Sequence, residues 1–255
     1  MPVNVAIAIA TFILATSALA MIAFIMKRRR EAKEDDMRRA ATSRGWQFDS
    51  RSERGSRIHR WRGTTDGLAW VAESIRTAPK SNHDKHLRLG RWHGDYNPGI
   101  NKPIVCMGLP KGKEMPAIPA APGESMFAKL AQKAMGFAFD KAIDVHFGKE
   151  LGDQVDAETL HRVDSTKIPG YVVLAVDKAE GVRVLSQGLE AALIEASGDK
   201  SSLLSNDNRP WILIRPSGIS LGRLERIRDL DELDAFIRAG TGLSRAFTFG
   251  RRSLS

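Results

Sequence analysis

From Val3 to Met26 the chain runs for 24 residues without a charge, interrupted only by Asn4, Thr11, Thr16 and Ser17. As a helix this run is about 36 Å long, more than a hydrocarbon core of about 30 Å requires. The pattern predicts a transmembrane anchor over 1–26. At Lys27 it changes to charge within one residue. Glu34 with Arg38, and Asp35 with Arg39, stand four apart with the acid first, the favourable order on a helix surface, and Gly45 offers a stop. A charged juxtamembrane stalk helix is expected over 27–44.

Beyond the stalk the period shortens. Ile58–Gly63 and Leu68–Ile75 are rich in Ile, Trp and Val, and Thr64-Thr65-Asp66-Gly67 between them contains the Asp-Gly pair that hairpin turns prefer. Further strands are expected at Lys85–His93 and Pro103–Leu109, bounded by Asn82 and Asn97-Pro98-Gly99. Residues 45–109 therefore form a β-rich half that reads as an antiparallel meander. Pro110, Pro116, Pro119 and Pro122 mark a connector over 110–123.

The remainder, 124–250, predicts an α+β half. A helix over Glu124–Val145 carries a wide apolar face, Phe127, Leu130, Ala134 and Ala138 among it, that suits a core better than a bilayer surface. Tyr171–Val176 is a strand feeding Asp177-Lys178-Ala179-Glu180, which resembles a capping box. The helix that follows places Val182, Leu185, Leu189, Leu193 and Ala196 on one face and is expected to stop at Gly198. Trp211–Arg215 and Gly218–Leu224 form a strand pair turning at Pro216-Ser217-Gly218. A last helix is capped by Asp229, turns Leu230, Leu233, Phe236 and Ile237 inward, and is expected to stop at Gly240. The fold class is α+β: a terminal helix and stalk, a β-rich first half, and a strand-helix-strand-strand-helix unit.

Charge settles orientation. The formal charge is +9, but 13 Lys/Arg against 6 Asp/Glu fall between Lys27 and Arg62, and 26 against 24 follow from Gly63 onward. The excess sits beside the anchor, and a nearly neutral body argues against nucleic acid as partner. Lys27, Arg28, Arg29 and Arg30 directly after the apolar run keep that end in the cytoplasm by the positive-inside rule. The expected placement is a single-pass signal-anchor in a bacterial inner membrane, amino end outside and body inside. Ala18-Leu19-Ala20 has the small-x-small form of a signal-peptide cleavage site, yet residues 2–8 lack the positive charge such peptides carry ahead of the apolar region. The same four basic residues are candidates for contact with anionic lipid headgroups, with topology alone as the simpler reading.

The stretches IPGYVVLAVDKAEGVRVL, RPWILIRPSGISL and DLDELDAFI, with Arg44-Gly45-Trp46 after the anchor, give a layout that resembles bacterial single-span membrane proteins of unknown function. The resemblance implies the architecture above; it carries no catalytic residue onto this chain.

Candidate chemistry is sparse. His83, Asp84 and His86, with His93 and Asp95 downstream, combine imidazole and carboxylate as zinc or non-haem iron sites do. On a strand, His83 and His86 would point to opposite faces, so solvated edge residues are the simpler reading. A nucleophilic triad needs an activated Ser or Cys, a base and an orienting acid, and no sharp Gly-x-Ser-x-Gly turn is expected. Cys106, between Val105 and Met107, reads as a buried, inert thiol in a reducing compartment. Leu109-Pro110-Lys111-Gly112-Lys113 lacks the glycine spacing of a phosphate loop, and Asp140, Asp144 and Glu150 read as a solvated face. Arg57, His59, Arg60, Trp61 and Arg62 interleave base and aromatic residues as a single-strand stacking platform would, or as a hairpin with Trp inward would. No cofactor is implied. The leading expectation is a membrane-held binding or scaffolding module with a protein partner; the runner-up is a membrane-tethered, metal-dependent hydrolase using the cluster at 83–95.

Overall fold

The computed structural model describes residues 2–53, 55–78, 87–109, 141–147, 155, 159–163, 168, 170–198, 203 and 209–252. The chain divides into two compact units, Met1–Phe48 and Asp49–Ser255.

The first unit is built on one helix, α1, Pro2–Ser43. Leu14, Leu19, Met21, Ile22, Phe24, Ile25 and Met26 stand exposed along it. Among the described residues no helix is long and apolar enough to cross a membrane. The side chains of residues 1–13 and 15, which include half of the apolar run, lie outside the described ones. In the stalk Asp35 pairs with Arg38 and Asp36 with Arg39 at a spacing of three, where four was expected for Asp35 with Arg39, while Lys27 pairs with Glu31 at a spacing of four. Both spacings are neighbours on a helix, and the short aspartate side chain reaches the nearer one. The helix ends where Gly45 was expected to end it: Gly45 takes a φ of +74°, its N–H donates to the Thr42 carbonyl, and the Trp46 N–H donates to that of Ala41. These two bonds satisfy the last carbonyls as a Schellman motif does.

The second unit is α+β, and its first strand begins in the last two residues of the first. Strands β1 Gln47–Glu53, β2 Ser56–Thr65, β3 Leu68–Thr77, β4 Arg88–Asp95, β5 Ile104–Gly108, β6 His161–Arg162, β7 Tyr171–Ala175, β8 Trp211–Arg215 and β9 Gly218–Arg223 form a sheet in the order β1-β2-β3-β4-β9-β8-β5-β7-β6. Neighbours from β2 to β6 pair antiparallel. The helices are α2 over 141–147, α3 Lys178–Val184, α4 Glu190–Gly198 and α5 Leu230–Arg252, with a π turn, Leu185–Leu189, between α3 and α4.

The β2–β3 hairpin forms as expected. Thr65 pairs with Leu68 across a two-residue loop in which Asp66 and Gly67 have φ of +54° and +78°. Positive φ at both loop positions is the type I′ geometry whose twist matches the flanking strands. Strand β1 was not expected; its sequence, QFDSRSE, offers one large apolar residue and little period to read.

The division into two halves at 110–123 does not match the sheet. Strands β9 and β8 lie between β4 and β5, so the expected meander ends at β4 and the two halves share one sheet. The connector itself, and residues 124–140 of the expected helix, lie outside the described residues. What is described of that helix, α2, buries Ile143 and Phe147 in a cluster with Val105, Met107, Val172, Leu174 and Leu213. Core packing thus accounts for its apolar face over 141–147.

On the opposite face, α5 packs on β4 and β9, with Leu233, Phe236 and Ile237 buried as expected and Leu230 only half-buried. It does not stop at Gly240 but continues to Arg252. A Cβ at Gly240 would collide with the Trp92 indole, so this glycine admits a close approach to the sheet instead of ending the helix. Thr241 and Ser244, buried on the same helix, donate their hydroxyls back to the Ile237 and Gly240 carbonyls at 2.7 and 2.9 Å. Near its far end Arg245 pairs with Asp66 of the hairpin turn.

The middle helix departs from a single regular stripe. Leu185, Leu189 and Leu193 are buried, but Val182 is exposed and Val184 takes its place. Steps of four drift by about 40° per turn on an α-helix, and the stretch is not one regular helix: Gly188, at φ +122°, lies outside helical geometry and kinks it between Leu185 and Leu189. Asp177 caps α3 by accepting from the Glu180 N–H at 3.1 Å. The Glu180 carboxylate does not return to Asp177; it accepts from the backbone N–H groups of Asn101 and Lys102 at 2.9 and 3.0 Å, tying the loop before β5 to the helix.

Candidate functional site

Pairing of β4 with β9 sets His93 opposite Ser220 and Asp95 opposite Gly218, and pairing of β9 with β8 sets Arg215 opposite Gly218. Alternation along each strand brings His93, Asp95, Ser220 and Arg215 to one face. There His93 Nδ1 lies 3.0 Å from Ser220 Oγ and 3.4 Å from Arg215 Nη2, and His93 Nε2 lies 3.0 Å from Asp95 Oδ1. Arg215 can only donate and Asp95 as carboxylate can only accept, so the consistent tautomer carries its proton on Nε2 and accepts Ser220 O–H at Nδ1. Burial and the Arg215 charge lower the His93 pKa against the opposing pull of Asp95, which keeps this imidazole neutral.

The resulting chain, serine to imidazole to carboxylate, has the order of groups a nucleophilic hydrolase uses. It also contains the spacing the sequence was not expected to supply: Gly218-Ile219-Ser220-Leu221-Gly222 reads Gly-x-Ser-x-Gly. A nucleophile elbow, however, is a strained turn from strand to helix that lifts the serine into the open. Here the five residues run within β9, Ser220 is 2% exposed, and Arg215 beside it is 4% exposed. The glycines serve packing. A Cβ at Gly218 would strike the Gly94 carbonyl and the His93 ring, and one at Gly222 would strike the His146 carbonyl. The open end of the array is Asp95, not the serine. The arrangement therefore joins three strands and does not present a nucleophile.

A second polar group adjoins it on the same face. Arg91 donates to the carbonyls of Val145 and His146 at 2.8 and 2.9 Å, fastening α2 to β4. His146 Nδ1 donates to the Gly222 carbonyl at 3.0 Å, and its ring stacks on Trp211 with centroids 4.3 Å apart. Burial, partly opposed by the Gly222 bond and reinforced by Arg91, brings the His146 pKa down to about 4. This histidine is a fastener between helix and sheet.

The expected site residues fall as follows. His83, Asp84 and His86 lie outside the described residues. His93 has both ring nitrogens engaged, so a metal would have to displace Ser220 or Asp95 from it. Among the described residues no group of three or more His, Cys, Asp and Glu is placed to hold a metal ion. Cys106 is fully buried and its pKa is pushed up to about 12 by burial, as expected of an inert thiol. Trp61 is 1% exposed, which denies the interleaved segment Arg57–Arg62 the open ring that stacking requires. Arg60 of that segment instead donates to Glu73 across the hairpin at 2.7 Å. Lys27, Arg28, Arg29 and Arg30 are all exposed on α1, with Lys27 3.8 Å from Glu31 and the Arg28 guanidinium over the Phe24 ring at 5.1 Å. Arg215 and Ser220 escaped sequence reasoning because more than a hundred residues separate them from His93, and only pairing of β4, β9 and β8 joins them.

No protein-family model, curated protein or solved structure matches the chain.

Proposed function

We propose that the protein is a single-pass inner-membrane protein of a bacterium, held by residues 3–26, with its amino end outside and its α+β body in the cytoplasm as a binding or scaffolding module. One observation carries the anchor: every residue from 16 to 26 of α1 is exposed, the large apolar Leu19, Met21, Ile22, Phe24, Ile25 and Met26 among them, so no side of the helix is covered over that stretch. A single protein neighbour covers a stripe, whereas lipid covers the whole circumference. The basic residues Lys27 to Arg30 come at the point where charge is retained on the cytoplasmic side and where anionic headgroups are in reach. Support for binding over catalysis comes from the burial of Ser220 in the serine-histidine-aspartate array and from the engagement of both His93 nitrogens. The partner under this reading is a protein met at the membrane.

Two measurements test it. A reporter enzyme active only outside the cytoplasm should stay silent when fused after Ser255 and work when fused ahead of Met1; the reverse pattern overturns the orientation. Purification of the full-length protein from native membranes should retain a specific protein in stoichiometric amount. Retention of metal in place of a protein, lost on substituting His83 and His86, would replace the module with the hydrolase.

A further inference from the structure

We infer that the outer edge of β1 is a self-association site, where a second copy of the chain extends the sheet by antiparallel pairing of β1 with β1. The inference goes beyond the reading above. Strand β1 is the terminal strand of the nine, and among the described residues nothing pairs with its outer edge. At seven residues it is long enough to template a neighbour, unlike β6, the two-residue strand at the other end.

The identity of the occupant follows from the charge pattern. A two-fold axis makes the pairing antiparallel and places each residue opposite its mirror position about one central residue. The midpoint of Gln47–Glu53 is Ser50, so the register that uses the whole strand is centred there. In that register Asp49 stands opposite Arg51 of the second copy, and Arg51 opposite its Asp49. Both charge pairs are complementary, and Ser50 meets Ser50. Registers shifted to either side are penalised: centring on Asp49 or on Arg51 sets that residue against its own copy, and centring on Arg51 also sets Asp49 against Glu53. Like charges directly opposite destabilise a sheet pair, and opposite ones stabilise it. Asp49 is exposed, and Arg51 is half-buried beside Glu53 at 3.8 Å with its Nε donating to no acceptor among the described residues. An aspartate arriving across the edge adds an acceptor to that row.

The test uses the full-length protein, purified in detergent, with buried Cys106 as the only native thiol. In the Ser50→Cys variant the two introduced thiols face each other with Cβ atoms about 5 Å apart and should form a linked dimer under mild oxidation. In Ser52→Cys the two thiols lie about 14 Å apart along the strands and should not. Asp49→Arg alone and Arg51→Asp alone should each weaken the dimer about tenfold, by turning two attractive pairs into repulsive ones, and the two together should restore it. A monomeric mass for the unmodified protein, equal linking at positions 50 and 52, or a double variant as weak as the single ones would each overturn the inference.

Discussion

His146 carries the clearest consequence at the scale of a single residue. Its pKa stands at about 4 when folded, against an ordinary value near 6.5, so the unfolded chain binds the extra proton first. Stability from this group is complete above the unfolded value and is lost as pH falls through the window from about 6.5 to 4. The loss is on the order of 3 kcal/mol at the acid end. The variant His146→Phe keeps the stack on Trp211 and discards the titration. Its melting temperature should fall less steeply than that of the native protein between those pH values; parallel curves would refute the assignment. Ser220 supplies a second residue-scale prediction. Because it is buried within a strand, a fluorophosphonate probe should leave it unmodified, and labelling that Ser220→Ala abolishes would make the array catalytic after all.

Helix α5 shows how an element answers to its neighbour. Two glycines two residues apart on it should respond to alanine with opposite signs. Gly240→Ala drives a methyl group into Trp92, and overpacking of about 1–3 kcal/mol outweighs the roughly 1 kcal/mol gained in helix propensity. Gly242 has nothing within 4 Å of an added Cβ, so Gly242→Ala keeps the propensity gain and should raise stability by up to about 1 kcal/mol. Urea titrations of the two variants check both signs. The same contrast explains which elements were legible. The β2–β3 hairpin rests on Asp66 and Gly67, a local preference that any pairing partner would accept. The continuation of α5 past Gly240 depends on the closeness of Trp92, and the kink at Gly188 lies against the Ala246 carbonyl of α5, neither of which a local window contains.

For the molecule as a whole, the order of strands matters more than their number. β4 pairs with β9 and β5 lies between β8 and β7, so both strands need partners that come later in the chain. A fragment ending at Leu109 should therefore remain unfolded, with collapsed amide dispersion in its NMR spectrum, although its residues read as a self-sufficient β-rich half. A dispersed spectrum would restore the division at 110–123. Local chemistry by itself determined the apolar run and its basic border, the Asp-Gly hairpin, the Gly45 stop and the aspartate caps, because each rests on neighbours within a few residues. Tertiary structure alone decided that the two halves share one sheet, that Gly240 lies within a helix, and that Ser220 meets His93. Those outcomes rest on contacts between segments far apart in the chain, whose pairing is chosen by the burial of a common core and leaves little trace in any single stretch.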